Sequence, residues 1–260
     1  ACFGFDSIVG NYASPETPGS AYVLLHHVFG EIDGEKGAWG HALGGMGSIT
    51  QIMRTVCEEI GVDISTNASV KNIIVEDSVA KGVILDDGSK IMSNKVISNL
   101  NPKLLFSNLI NHDDVDKEYL RKILNYKCGS GTFRMNVALS ELPNFNCLPG
   151  KEIAEHHKSG IIIAPTLTYM DEAFTDAKKH GWSKNPIVEM LIPSTVDQSL
   201  APEGKHVASL FCQQFAPKLP MNKSWHDEKT NAAQIIIDTV NKYAPNFKKS
   251  IIGSSILSPL

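Results

Sequence analysis

The glycine-dense stretch Trp39-Gly40-His41-Ala42-Leu43-Gly44-Gly45-Met46-Gly47-Ser48 constrains this chain more than any other segment, because it runs directly into a helical apolar pattern that stops at Gly61. Met46, Ile49, Ile52, Met53, Val56 and Ile60 recur at three- and four-residue steps, the spacing that aligns side chains along one face of an α-helix. Ser48 or Gly47 can open that helix, and Gly61 can close it in the left-handed conformation that glycine adopts without strain. A glycine loop at a helix start leaves backbone N–H groups free at the positive end of the helix dipole, where a phosphate or a polar ring edge can sit. It serves equally as a tight turn before a packed helix. It lacks the Lys-Ser/Thr of a P-loop and the G-x-G-x-x-G spacing of a dinucleotide fingerprint.

The segments after Gly61 alternate in character. Residues 62–64, 70–75, 82–85, 90–92 and 95–98 read as strands, with Asp87-Gly88 as a hairpin turn. Helices follow at 102–110 and 116–126, the second with Val115, Tyr119, Leu120, Ile123 and Leu124 on its apolar face. Strands are then expected at 132–139, 160–164, 187–192 and 206–215, and helices at 169–180 and 225–243. Residues 6–40 are less regular, with a short helix or turn, a segment from Tyr22 to Val28, and a loop holding Gly34, Lys36 and Gly37. The order predicts an α+β fold, a mixed or antiparallel sheet with helices on one face.

A length of 260 residues with 42% hydrophobic content suffices for a proper core. The net charge of -4 offers no basic field for a phosphate backbone, so nucleic acid is not an expected partner. The five cysteines carry no CxxC or regular spacing, which argues against a disulfide framework and a zinc site, and for a reducing compartment. No apolar run approaches the roughly 18 to 20 residues of a membrane span. The opening Ala1-Cys2-Phe3-Gly4-Phe5 and the closing Ile256-Leu257-Ser258-Pro259-Leu260 both read as cuts inside a longer protein.

No catalytic residue stands out. Ser48 is the nearest approach to a nucleophile elbow but lacks the second glycine and a preceding strand. The pairs His26-His27 and His156-His157 would point to opposite faces of a strand, and Cys57 reads as a small core residue, so no metal site is expected.

Trp39-Gly40, Gly44-Gly45-Met46-Gly47, Gly61-Val62, Val70, Gly82-Val83, Asp87-Gly88 and Val96-Ile97-Ser98-Asn99-Leu100-Asn101-Pro102 fall in one order that resembles the phytoene-desaturase-like branch of the FAD-dependent amine oxidase superfamily. Further motifs mark a narrower group within that branch: Thr17-Pro18-Gly19-Ser20-Ala21-Tyr22, Ile163-Ala164-Pro165, Ile192-Pro193-Ser194, the run from Leu200 to His206, and Tyr243-Ala244-Pro245-Asn246-Phe247.

The resemblance implies a parent flavoprotein in which a βαβ unit holds the FAD diphosphate. That unit's fingerprint is not in this sequence. It implies that residues 41–104 are a partial FAD-binding segment and that residues 1–40 and 105–260 form the substrate-binding domain. By the same resemblance Val70 would touch the adenine through its main chain, although a valine there is by default a core residue. Gly44, Gly45 and Met46 would lie near the junction of flavin and substrate cavity, and Ser98 and Asn99 where a strand leaves the FAD domain. Asn99 or Asn101 alternatively caps the helix beginning near Pro102.

The function implied is that of a central, mainly substrate-binding piece of an FAD-dependent oxidoreductase acting on an apolar small molecule. It would be inactive alone, bind no FAD by itself, and reside in the cytoplasm or the mitochondrial matrix. A non-catalytic binding module that keeps the scaffold is the alternative, and apolar faces left by absent segments would favour self-association into a homo-oligomer.

Overall fold

The computed structural model describes residues 2–27 and 29–259; Ala1, Val28 and Leu260 lie outside the described residues. The chain forms two compact units, one from the N-terminus to Ile52 together with Gly129 onward, the other Met53–Cys128. In chain order the elements are α1 (Cys2–Asp6), α2 (Ala21–His27), a two-residue ribbon β1 (Glu31–Ile32) and β2 (Glu35–Lys36), and α3 (Gly47–Glu59). Then come β3 (Val70–Glu76), β4 (Val79–Leu85), β5 (Lys90–Met92), the single turn α4 (Pro102–Leu104) and α5 (Lys117–Leu124). The remainder is β6 (Thr132–Leu139), β7 (Ile161–Ile163), α6 (Leu167–His180), β8 (Trp182–Leu191), β9 (His206–Phe215), α7 (Trp225–Tyr243), α8 (Phe247–Ser250) and β10 (Ile251–Leu257).

The larger unit is built on a five-stranded antiparallel sheet in the order β10-β6-β9-β8-β7. Alternation along each strand sorts its residues to two faces. Phe133, Met135 and Val137 of β6, Ala208, Leu210 and Cys212 of β9, and Val188 and Met190 of β8 face one side, where Trp225, Ala232, Ala233, Ile236 and Val240 of α7 complete the main core. Ser224 caps α7 by accepting the His226 N–H at 3.0 Å, so the start of that packed stripe is set locally.

The opposite face carries Arg134, Phe211 and Glu189 in one register row, with Thr132, Gln213 and Ile187 in the next. Part of it is covered by α1 and α6, through Phe5, Ile8, Met170 and Ala173 against Ile187, Ile162 and Phe211. The α+β class expected from the element order is the class observed. Helices nonetheless occupy both faces rather than one, because Ile162, Ile187 and Phe211 make a second apolar surface that α6 and α1 bury.

The smaller unit holds the antiparallel sheet β3-β4-β5. Its tight turn has Gly88 at φ 86° and the Asp87 carboxylate accepting the Ser89 N–H at 2.8 Å. A Cβ on Gly82 would collide with the Ile91 carbonyl, so only glycine fits that crossing.

Several expected elements differ. Residues 62–64 and 95–98 form no strand, since β-branched content alone supplies no pairing partner. Residues 102–110 form one α turn and then a π turn, Leu105–Leu109. The segment beginning at Tyr22 is helical, and Val28, its expected end, is outside the described residues. The apolar stripe of the glycine-loop helix is present but exposed: Met46 is 74% exposed, Ile52 64% and Ile60 74%.

Candidate functional site

A cavity of about 830 Å³ lies on the part of the sheet face that α6 leaves uncovered. Arg134, Phe211, Glu189 and Leu191 form its floor, Phe5, Asp6 and Val9 of α1 and Leu24 and His27 of α2 one wall, and Trp39, Gly40 and His41 its rim, beside Pro193 and Val196. Strand alternation aims Arg134 and Glu189 into this space, because their neighbours Phe133, Met135, Val188 and Met190 belong to the main core.

The Arg134 guanidinium lies 4.7 Å from the centre of the Phe211 ring and donates from Nη1 to Ser209 Oγ at 3.1 Å. Glu189 takes no hydrogen bond from a described residue, and its carboxyl is held above the usual range first by burial and then by the Asp6 charge. His27 Nδ1–H donates to the Val23 carbonyl at 2.7 Å, and its ring stacks on Trp39 at 5.9 Å with 13° between planes. With Nδ1 donating, Nε2 of the neutral ring is an acceptor.

The glycine loop at the rim is fixed from across the chain. Gly44 and Gly45 have φ 82° and 84°, values that only glycine takes freely. The Gly44 N–H donates to Asp197 Oδ2 at 2.7 Å, and the Gly45 N–H to the Ala42 carbonyl at 2.9 Å. Asp197 is 5% exposed. Its Oδ1 accepts from Ser199 N and Oγ at 3.0 and 2.6 Å, and His41 Nε2 stands 3.6 Å from Oδ2. These contacts, the Ser199 hydroxyl before the Gly44 amide, hold the Asp197 carboxyl below the usual range.

The expectation that the loop's amides stand free is therefore corrected at Gly44 and Gly45, whose N–H groups are spent inside the protein. The FAD that the resemblance implies carries a diphosphate, and a loop whose leading amide already faces a buried carboxylate is no cradle for that anion. These residues do not fit a diphosphate.

Met46 is exposed just before the first residue of α3. The other expected site residues lie in the smaller unit. Val70 is half-buried and pairs with Leu85 at the start of β3. Ser98 Oγ accepts the Leu100 N–H at 3.2 Å, and Asn99 is exposed. Of the two capping alternatives Asn101 is the one observed, accepting the Lys103 N–H at 2.9 Å.

His156 and His157 form one 3-10 turn rather than a strand. His157 is buried and wired as a neutral ring: Nδ1 accepts the Ala154 N–H at 3.1 Å and Nε2–H donates to the Pro143 carbonyl at 3.0 Å. Among the described residues no group of three His, Cys, Asp or Glu side chains could hold a metal ion. Cys57 is half-buried in α3, and the thiols of Cys57, Cys128, Cys147 and Cys212 are unpaired.

Asp6, Arg134, Glu189 and Asp197 were not singled out from the sequence. The signal available for two of them was a charge inside an otherwise apolar, alternating strand, Arg134 in β6 and Glu189 in β8.

No model of a known protein family matches the chain. It is homologous to pyridine nucleotide-disulfide oxidoreductase domain-containing protein 2 of Rattus norvegicus, 35% identical over 100% of this chain and 46% of that protein. Phytoene desaturase (lycopene-forming) of Pseudescherichia vulneris is 24% identical over 99% of this chain and 49% of that protein. Among solved structures, an oxidoreductase from Methanosarcina mazei shares the fold at a TM-score of 0.68 and 17% identity, over 98% of this chain and 51% of the other. The chain spans about half the length of the curated relatives it matches. These homologies agree with the amine oxidase and desaturase-like superfamily read from the motifs.

Proposed function

We propose that this chain is the central, mainly substrate-binding part of a longer FAD-dependent oxidoreductase. The parent takes a hydride or its equivalent from a C–C or C–N bond of an apolar small molecule, and this part is inactive by itself. One observation carries the reading: a cavity of about 830 Å³, floored by a β-sheet and walled by Phe5, Val9 and Leu24, of the size and character of small-molecule sites.

In this reading FAD supplies the redox chemistry and its diphosphate is held by segments outside the chain. The residues here shape the cavity, orient the substrate and exclude water. Residues 1–40 and 105–260 serve the substrate and residues 41–104 the cofactor side. Gly44, Gly45 and Met46 border the flavin end of the cavity, Val70 meets the adenine through its backbone, and Ser98 and Asn99 mark a strand leaving the cofactor domain. The family resemblance supports those assignments, as does the glycine loop's place beside the cavity rim. The protein works in a reducing compartment, cytoplasm or mitochondrial matrix. Among the described residues no helix is long and apolar enough to cross a membrane.

A flavin titration of this chain beside its full-length parent tests the reading. The chain is expected to purify colourless and to lose added FAD on dialysis, while the parent stays yellow. Flavin absorbance retained by the chain after dialysis overturns it. Self-association is a second reading, favoured by the exposed Ile52 and Met53 on α3 and Ile60 just after it, and sedimentation of the purified chain measures it directly.

A further inference from the structure

Three residues of one register row make the centre of the cavity floor: Arg134 of β6, Phe211 of β9 and Glu189 of β8. Arg134 and Glu189 flank the Phe211 ring within electrostatic reach of each other, yet among the described residues no ion pair within 4.0 Å joins them. Near and not touching, they leave room for a bridging group. Gly160 keeps that room open from the side, since any side chain there would begin 3.7 Å from Glu189 Oε1.

The charges in this part of the cavity offset one another. Burial and the Asp6 carboxylate raise the proton affinity of Glu189 while Arg134 and His27 pull it down, and the net result is a raised affinity. Lys158 is held by Glu155 at 2.9 Å. An added cation would compete with Arg134 and an added anion with Asp6 and Glu189, so the floor calls for neither. What the row offers is donors. Arg134 gives Nη1 to Ser209 Oγ at 3.1 Å and lies 4.7 Å from the Phe211 ring centre, which fixes the guanidinium and leaves its other N–H groups without a partner among the described residues. Glu189, protonated more readily than an ordinary glutamate, adds an O–H, and Phe5, Val9, Leu24 and Leu191 make the surroundings apolar.

We propose that the cavity binds a neutral amphiphile with one carbonyl group, its oxygen seated between Arg134 and Glu189 and its chain running along Phe211, Phe5 and Val9. The inference rests on the reading that this cavity is the substrate site, and it gives that substrate its polar end. A carbonyl oxygen has two lone pairs and no hydrogen, so it meets two donors and brings none of its own to be left unpaired. It also carries no charge into a partly desolvated floor.

Isothermal titration of the purified protein at pH 6.5 with 2-decanone, decanoate and decylammonium tests it, together with the infrared carbonyl stretch of bound, isotope-labelled 2-decanone. The ketone is expected to bind about tenfold or more tightly than either charged probe. Its stretch should fall below the frequency found in water, because a charged donor polarises the bond more than water does. Arg134→Met keeps a stem over Phe211 without the donors; it should weaken the ketone about tenfold and raise the stretch. Glu189→Gln still presents an N–H and should stay within about threefold. Circular dichroism melts verify that the variants are folded, and the selectivity and infrared band of the unaltered protein stand as tests without them. A bound carbonyl stretch at the apolar-solvent frequency, a charged probe binding as tightly as the ketone, or a folded Arg134→Met that keeps both affinity and band overturns the proposal. If none of the three probes binds, the substrate reading of the cavity falls with it; binding without carbonyl preference sinks this inference alone, and neither result touches the flavin titration.

Discussion

The Asp197 carboxylate accepts the Gly44 N–H at 2.7 Å, joining residues 153 positions apart and tying the glycine loop to the turn between β8 and β9. The same carboxylate takes two bonds from Ser199, so it is a buried anion whose charge is met wholly by donors. Asp197→Ala removes all three bonds and leaves the Gly44 amide without its acceptor. We expect a loss of about 2 to 3 kcal/mol in urea unfolding and faster proteolysis at residues 41–47, with Asp197→Asn in between. Equal stability and equal proteolysis of the alanine variant would show that the tie holds nothing in place.

Acid should destabilise the larger unit through its histidines. Burial lowers the affinity of His156 and His206 for protons. Because the unfolded chain then protonates first, stability is fully present above the ordinary histidine value of 6.5 and falls as pH drops below it. Glu189 acts in the opposite sense, since its raised affinity favours the protonated, folded form as pH falls toward the carboxylate range. Thermal melts from pH 7.5 to 5.5 should show a declining midpoint, and His156→Gln together with His206→Gln should flatten the decline.

Two helices with the same apolar spacing should respond differently to truncation. Ile236 on α7 is 0% exposed against the sheet, so Ile236→Ala should cost about 3 kcal/mol from lost burial and the cavity left behind. Ile52 on α3 is 64% exposed, and Ile52→Ala should change the stability of this chain by less than about 0.5 kcal/mol. Urea titrations of the two variants side by side measure the contrast.

That contrast shows where the sequence is legible. The bounds of α7, β6 and β9 agree with their expected ranges because alternation, β-branched content and the Ser224 cap act within a few residues. The stripe on α3 is just as periodic, yet periodicity says only that a face is apolar and not whether anything covers it. β10 went unread because Gly253-Ser254-Ser255 breaks the apolar pattern, and its pairing with β6 is a long-range fact. Residues 62–64 and 95–98 show the converse, strand-like composition without a partner strand. The cavity was hidden for the same reason. Asp6, Arg134 and Glu189 meet only once α1, β6 and β8 are placed together, and the bond from Asp197 to Gly44 joins two local turns whose sequences carry no sign of each other.

Neighbouring glutamines on β9 give a matched test of what a buried, unpartnered amide costs. Gln213 and Gln214 are both fully buried, but Gln214 Nε2 donates to the Asn11 and Ala13 carbonyls at 3.3 and 2.8 Å, whereas both amide atoms of Gln213 lack partners. Leucine has a similar size and no polar atoms. Gln213→Leu therefore removes two uncompensated groups and should stabilise the protein by about 1 kcal/mol or more, while Gln214→Leu leaves the Ala13 carbonyl without its donor, the Asn11 carbonyl keeping the Ala13 N–H, and should cost about 1 to 3 kcal/mol. A Gln213→Leu variant that melts lower than the unaltered protein would mean that this amide is already satisfied in solution.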